Sequence, residues 1–184
     1  LFLSKDEKSV QTVIDSHSNC AAALIYEPPT AFNPAENVVK IAFDADAVLF
    51  SEDSELMYKT EGIEIFRKYE DEHKDVPLAP GPFAKLLMKL SKIQESLPVT
   101  VELSPLRLAI VSSRSAPTHM RVINTLKKWG VYVNEVYFLA GMPKDKVLKA
   151  FGAHIFFDDQ EVHLEKSSKV VPSGRVPYSS DSPL

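Results

Sequence analysis

The sequence predicts an α/β fold built on a doubly wound parallel sheet, with a small, mainly helical insertion after the first strand of that sheet. Three observations predict it. From Val38 onward, short continuous apolar runs alternate with segments of helical periodicity, the order expected of strands connected by crossover helices. The runs lack a polar alternate face, which suits strands covered on both sides. Each of four runs then ends in polar residues, and ligands bind off the carboxyl ends of strands in such sheets.

The elements follow in order. Leu1 to Leu3 read as a strand, and Asp6 to Ile14 as a weak amphipathic helix with Val10, Val13 and Ile14 on one face. Ala21 to Tyr26 is a second apolar strand, after which Pro28-Pro29 and Asn33-Pro34 break the chain. This opening places a strand–helix–strand unit at 1–34 and a second unit at 35–184. Val38 to Phe43 begins the second unit as a buried strand interrupted only by Lys40. Ser51 to Pro80 is polar, poor in strand formers and helical in pieces. Pro82 to Ile93 is a helix whose stripe is Phe83, Leu86, Leu87, Leu90 and Ile93, with Pro82 in its first turn. Leu106 to Val111 is the next strand. Ser115 is placed to cap a helix through Trp129 that turns Val122, Ile123, Leu126 and Trp129 inward and stops at Gly130. Val136 to Leu139 is a strand, Pro143 opens a helix ended by Gly152, and His154 to Phe157 is another strand. A last strand is expected over Val176 to Tyr178.

Bulk properties narrow the function. In 184 residues, 45% are hydrophobic and 25% charged, enough for a core in a water-facing protein. The net charge of −4 comes without a basic stripe, so a nucleic-acid polymer is not an expected partner. A small phosphorylated metabolite needs only one or two local cations and remains. Cys20 is the single cysteine, which fits a reducing compartment. No apolar run is long enough to span a membrane and no signal-peptide pattern opens the chain, so the expectation is a cytoplasmic protein with no membrane partner.

The chemistry sits at the strand ends. Phe43 runs into Asp44-Ala45-Asp46, and Phe157 into Asp158-Asp159. Carboxylates leaving buried strands are costly unless a cation meets them. A turn or helix cap explains either pair alone. Together they suggest a hard divalent cation with oxygen ligands, magnesium (Mg2+) rather than zinc, since no His or Cys cluster accompanies them. Val111 runs into Ser112-Ser113-Arg114-Ser115 at an expected helix start, where hydroxyls and free N–H groups suit a phosphate. Capping explains one serine, not three with an arginine. Lys144 opens a helix, the unfavourable end for a cation, and a phosphate or Asp44 would compensate it.

In this order the four strand ends resemble those of the haloacid-dehalogenase-like phosphatases: Asp-x-Asp, then Ser or Thr, then Lys, then an Asp pair. Ala42-Phe43-Asp44-Ala45-Asp46-Ala47-Val48-Leu49-Phe50-Ser51, Leu78-Ala79-Pro80-Gly81-Pro82, Phe138-Leu139-Ala140-Gly141-Met142-Pro143-Lys144 and His154-Ile155-Phe156-Phe157-Asp158-Asp159-Gln160 are similar to phrases of the cytosolic 5′-nucleotidase I family. The similarity runs from near Val38 to Tyr178. Ala45 stands where that family usually has Gly. Val48 replaces the Thr of most of the superfamily, as is usual in this family.

The resemblance implies a haloacid-dehalogenase-like core with a cap inserted at about 51–103, and hydrolysis of a nucleoside 5′-monophosphate such as AMP. It makes Asp44 the nucleophile, Asp46 the general acid and then base, and Lys144 the cation beside Asp44. Ser112 and Ser113, with Lys144, bind phosphate, and Asp44, Asp46, Asp158 and Asp159 hold Mg2+. Arg114, Phe66 and Tyr69 are candidate substrate contacts, although aromatics at helical spacing are more often packing. His73, His119 and His163 read as surface or structural residues, and Trp129 as core. Two alternatives stand beside this reading: a phosphatase of another small phosphomonoester, or a nucleotide-binding module without turnover.

Leu1-Phe2-Leu3-Ser4-Lys5-Asp6 resembles a region upstream of the catalytic half in that family and echoes Ile155 to Gln160. The expectation is a C-terminal portion of a longer protein, with homo-oligomerisation or pairing with a missing N-terminal half. The strands at Leu1 to Leu3 and Ala21 to Tyr26 should then extend the catalytic sheet or pair with another chain.

Overall fold

A computed structural model describes residues 1–16, 18–33 and 37–184. The break expected at Pro34, and with it the boundary between 1–34 and 35–184, lies outside the described residues. Among the described residues, seven strands form one sheet: β1 (Phe2–Ser4), β2 (Ala22–Ile25), β3 (Val39–Phe43), β4 (Leu106–Ser112), β5 (Glu135–Phe138), β6 (Ile155–Asp158) and β7 (Ser173–Arg175). Their order is β1-β2-β7-β6-β3-β4-β5. β3 to β7 are mutually parallel, as expected. β1 and β2 run parallel to each other but antiparallel to β7, so the first two strands extend the sheet in the opposite sense.

Continuous apolar strands give two hydrophobic layers, because successive residues point to opposite faces. Phe43, Leu108, Ile110 and Phe157 pack on one face, and Ala42, Ala109, Val111 and Phe156 on the other. Lys40, the one interruption in β3, sets its Nζ 2.8 Å from the Phe151 carbonyl and over the Phe151 ring, so its charge is used at the end of a helix.

The helices are α1 (Glu7–Asp15), α2 (Asp53–Glu72), α3 (Ala84–Ser96), α4 (His119–Trp129), α5 (Asp145–Phe151) and α6 (Glu161–Ser167). α2 is two helical pieces joined at Gly62, whose φ of +81° interrupts the helix. In α3 the expected stripe holds for Phe83, Leu86, Leu87 and Leu90, but Ile93 is 52% exposed. Ser91 and Gln94 take the inward positions instead, because the line of burial steps from Leu87 by four and then three residues. Ser91 Oγ accepts from Tyr132 N, and Gln94 Nε2 donates to Leu106 O.

Two boundaries differ from expectation. α4 begins after Thr118, not Ser115. Pro117 restrains the residue before it from helical geometry, so the helix cannot reach back through Ala116. The last strand lies at Ser173–Arg175, not Val176 to Tyr178. Gly174 fits there because a Cβ would stand 3.0 Å from Ile25 Cδ1 and 3.2 Å from Phe157, and Pro177 has no N–H to continue the ladder.

Candidate active site

Sheet register assembles the site. β3 is flanked by β4 and β6, with Phe43 level with Ile110 and with Phe157. The residues that follow, Asp44, Val111-Ser112 and Asp158, therefore end side by side at one edge. The strand β5 leads through Ala140-Gly141 to Lys144, which precedes α5.

Lys144 is the centre of the cluster. Its Nζ donates to Asp158 Oδ2 at 2.7 Å and lies 2.9 Å from Asp44 Oδ1, and the residue is 2% exposed. Burial alone would lower its pKa, but the charges of Asp158 and Asp44 outweigh that and raise it, so the ammonium persists. Asp44 Oδ1 also accepts from Ala45 N at 2.7 Å. Burial, only partly offset by Lys144, pushes the Asp44 carboxyl up to about 7. Burial would raise Asp158 too, but Lys144 and His163 hold it below the ordinary carboxylate value.

Asp46 lies apart from this cluster. The chain winds through a short loop, Ala45–Leu49, in which Ala47 takes a φ of +58°, a left-handed conformation that costs a non-glycine residue about 1–2 kcal/mol. Asp46 then meets Arg114 as a fork: Nε donates to Oδ2 at 2.8 Å and Nη2 to Oδ1 at 2.7 Å. Arg114, 5% exposed, also donates through Nη1 to Glu70 Oε2 and to Thr118 O. Burial opposes its charge, yet Asp46 and Glu70 raise its pKa.

The serines separate by role. Ser112 is fully buried, and its Oγ accepts from Arg114 N at 3.1 Å, fixing the loop. Ser113 lines the pocket with a buried Oγ that has no hydrogen-bond partner among the described residues, a group an incoming oxyanion would satisfy. Phe66 also lines this pocket, under the Arg114 guanidinium and edge-on to Tyr58. Tyr69 does not: it stacks on His73 and faces a smaller hollow with Arg121. The main pocket has a volume of about 310 Å³, floored by Asp46, Ser113 and Arg114 and walled by Tyr58, Ile63 and Phe66.

Of the residues expected to hold the metal (Asp44, the Asp46 carbonyl, and Asp158 or Asp159), the carboxylates of Asp44 and Asp158 come together. Asp44, Asp158 and His163 each offer a ligand atom within 4.8 Å of the others. His163, read as a surface or structural residue, lies partly exposed and 3.3 Å from the Asp158 carboxylate. A histidine therefore does accompany the acids. Asp46 is turned to Arg114. Asp159 accepts from the Tyr178 hydroxyl on Oδ2, while its buried Oδ1 has no partner. Burial, then the charges of Asp44 and Asp158, push Asp159 up to about 8.

These residues fit a divalent cation. Asp44, Asp46, Glu70, Asp158 and Asp159 face three fixed cations, Lys144, Arg114 and Arg121, leaving an acid excess. Two raised carboxyls and an orphaned carboxylate oxygen are the marks of charge that an oxygen-ligated cation would neutralise.

Sequence reasoning missed Glu70, His163 and Tyr58. Glu70 shares the inward face of α2 with Phe66, four residues earlier, but helical spacing does not announce a buried acid.

The 5′-nucleotidase family profile matches residues 1–183. The chain is 35% identical over 173 residues to human cytosolic 5′-nucleotidase 1B (Homo sapiens), covering 92% of this chain and 28% of that protein. It thus spans little more than a quarter of the length of that curated relative. Solved structures with a similar backbone include the Pnkp1/Rnl/Hen1 complex, at a TM-score of 0.49 and 12% identity over 82% of this chain and 50% of that one. A HAD-superfamily hydrolase of subfamily IA, variant 1, from Geobacter sulfurreducens gives 0.45 and 16%, covering 74% and 88%.

Proposed function

This chain belongs to the 5′-nucleotidase family, and we propose that it hydrolyses nucleoside 5′-monophosphates of the AMP type in a magnesium-dependent reaction. The observation that carries the proposal is the buried triad of Asp44, Lys144 and Asp158, joined to the pocket by Asp46, two residues on from Asp44, and by His163, 3.3 Å from Asp158, both of which line it.

Phosphate monoesters hydrolyse very slowly unaided, so the site must both offset charge and protonate the leaving oxygen. In our reading Asp44 attacks phosphorus through the oxygen that Lys144 leaves free. The ester P–O bond breaks, and Asp46, kept on Arg114 by one oxygen and protonated on the other, gives that proton to the departing ribose oxygen. Asp46, now a carboxylate, removes a proton from water, which attacks the aspartyl-phosphate, releases phosphate and restores Asp44. Lys144 and the Ser113 hydroxyl stabilise the phosphoryl oxygens. Ser112 positions the loop that carries them. Mg2+ held by Asp44 and Asp158, with Asp159 and His163 beside them, would supply charge against the repulsion between carboxylate and phosphate dianion.

We assign 51–103 as the cap: α2 walls the pocket with Tyr58, Ile63 and Phe66, and the nucleoside lies against them. The relative's printed name places that protein in the cytosol, and we propose the same compartment. Among the described residues no helix is long and apolar enough to cross a membrane.

The test is phosphate release from a panel of nucleoside monophosphates and sugar phosphates, with Mg2+ and with EDTA. The reading expects nucleotides to lead the panel and EDTA to stop turnover, with recovery on added Mg2+. Release of phosphate from sugar phosphates alone would move the substrate class. Full activity in excess EDTA would remove the metal.

A further inference from the structure

We propose that Glu70 is a positioning residue for Asp46, acting through the Arg114 guanidinium, so that the seating of α2 sets the geometry of the acid in the active site. The inference rests on the phosphatase reading above and deepens it.

Glu70 is 1% exposed and carries a carboxylate on α2, a helix otherwise rich in exposed polar residues. A buried carboxylate is retained only with partners, and here its two arginine partners lie outside α2, while the third, Ser54, lies on the other helical piece of α2. Oε1 accepts from Arg121 Nη1 on α4 at 2.7 Å and from Ser54 Oγ, at the far end of α2, at 3.2 Å. Oε2 accepts from Arg114 Nη1. The guanidinium is planar and rigid, so holding Nη1 fixes the plane in which Nε and Nη2 meet the two oxygens of Asp46. Thr118 O, at 3.1 Å from Nη1, and the Phe66 ring beneath Arg114 complete the clamp.

The arrangement links pocket and acid. Ser54, Phe66 and the Tyr58 between them line the pocket on α2. Glu70 gathers the two helical pieces on either side of Gly62 through its bond to Ser54, then passes their position to Asp46 by one charged relay. A substrate that seats α2 correctly thereby seats Asp46 correctly, and one that does not leaves the acid misaimed.

Glu70→Gln tests this. The amide matches the carboxylate in shape, but its NH2 group must face one of two arginine donors, so Arg114 loses part of its restraint. The expected result is a fall in kcat of about tenfold for a nucleoside monophosphate, a part of the roughly 10² to 10⁴ that a general acid contributes in full, with KM changing less. For an aryl phosphate, whose leaving oxygen needs no proton, the rate of the first burst of aryl alcohol should fall several-fold less, while steady turnover, which needs Asp46 as base, falls as well. Arg121→Lys is the control: it touches Glu70 but not Asp46, so it should lower the melting temperature without changing the ratio of the two substrates. Glu70→Asp, with the charge kept and the reach shortened, should reproduce the ratio change of Glu70→Gln and stands in if that variant does not fold.

Equal loss of the first-step rate on both substrates in Glu70→Gln and Glu70→Asp, or the same ratio change in Arg121→Lys, overturns the positioning role while the phosphatase reading stands. Absence of any phosphate release by the wild-type chain overturns both.

Discussion

The hydroxyl of Tyr178 donates to Oδ2 of Asp159, while Oδ1 of the same carboxyl is buried with no partner. Tyr178 follows β7 and lies beneath Lys59 of α2, 5.9 Å from its ring centre. Among the described residues it is the one side-chain partner of an acid at the edge of the proposed metal cluster.

Tyr178→Phe removes that donor and leaves both oxygens of Asp159 without a bond. A buried polar group deprived of its partner costs about 1–3 kcal/mol. The metal-free chain should lose that much in a urea unfolding curve taken in EDTA. With saturating Mg2+ the loss should shrink, because the cation takes up the charge. An equal loss with and without Mg2+ would place Asp159 outside the metal's influence.

The raised carboxyls fix the sign of the pH response. Asp44 and Asp159 titrate near 7 and 8 in the folded chain, against an ordinary value of 3.8. Between those values the folded chain binds more protons than the unfolded one, so metal-free stability falls as pH rises from about 4 to about 8. Asp158, whose pKa is lowered, works the other way, but only below about pH 4. A divalent cation binds the deprotonated forms, so its affinity should climb with pH over the same window, by up to about tenfold per unit for each proton displaced. Melting curves in EDTA from pH 5 to 8, and calorimetry of Mg2+ binding in two buffers of different ionisation heat, measure both. A metal-free protein that grows more stable toward pH 8 would contradict the burial of these charges.

What was legible in the sequence and what was not divide along one line. The placement of Asp44, Ser113 and Asp158 at strand ends was legible because each follows an apolar run, and that of Lys144 because it stands where a helix opens; local order reports both directly. The parallel core, the Gly130 and Gly152 helix stops and the main stripe of α3 were legible for the same reason. Glu70 was not, since its partners Arg114 and Arg121 lie 44 and 51 residues away and its neighbours look like any solvated helix. Ser115 misled because a capping residue was read without the restraint that Pro117 imposes. β7 hid because Ser-Gly-Arg has little strand propensity; Gly174 is there to admit Ile25 and Phe157.

Gly81 gives a prediction about the frame. It follows the bridge between Phe50 and Pro80, and its N–H donates to Leu49 O at 2.9 Å. A Cβ there would stand 2.2 Å from the Phe50 carbonyl oxygen and 2.8 Å from that of Val48. Both are backbone atoms of the loop that carries Asp46, so no side chain can yield. Gly81→Ala should cost about 3 kcal/mol or more in chemical denaturation, and it should slow turnover by displacing the loop. A variant of unchanged stability would mean that the approach of the two segments is not needed.

Asp46→Asn separates the two steps of the proposed reaction. The amide keeps the shape of the side chain but carries no transferable proton, and its NH2 group faces the Arg114 donors that the carboxylate accepted. With a nucleoside monophosphate the first step lacks its acid, and the rate should fall by about 10² to 10⁴. With an aryl phosphate the leaving oxygen departs unaided, so Asp44 is still phosphorylated. Hydrolysis of that intermediate then lacks its base. The expected time course is a burst of about one equivalent of aryl alcohol followed by slow turnover, with phosphate on Asp44 trapped by rapid acid quench. Asp44→Asn should show neither burst nor turnover on either substrate. If Asp46→Asn loses both substrates equally and shows no burst, Asp46 acts by holding Arg114 in place, and the proton must come from another group.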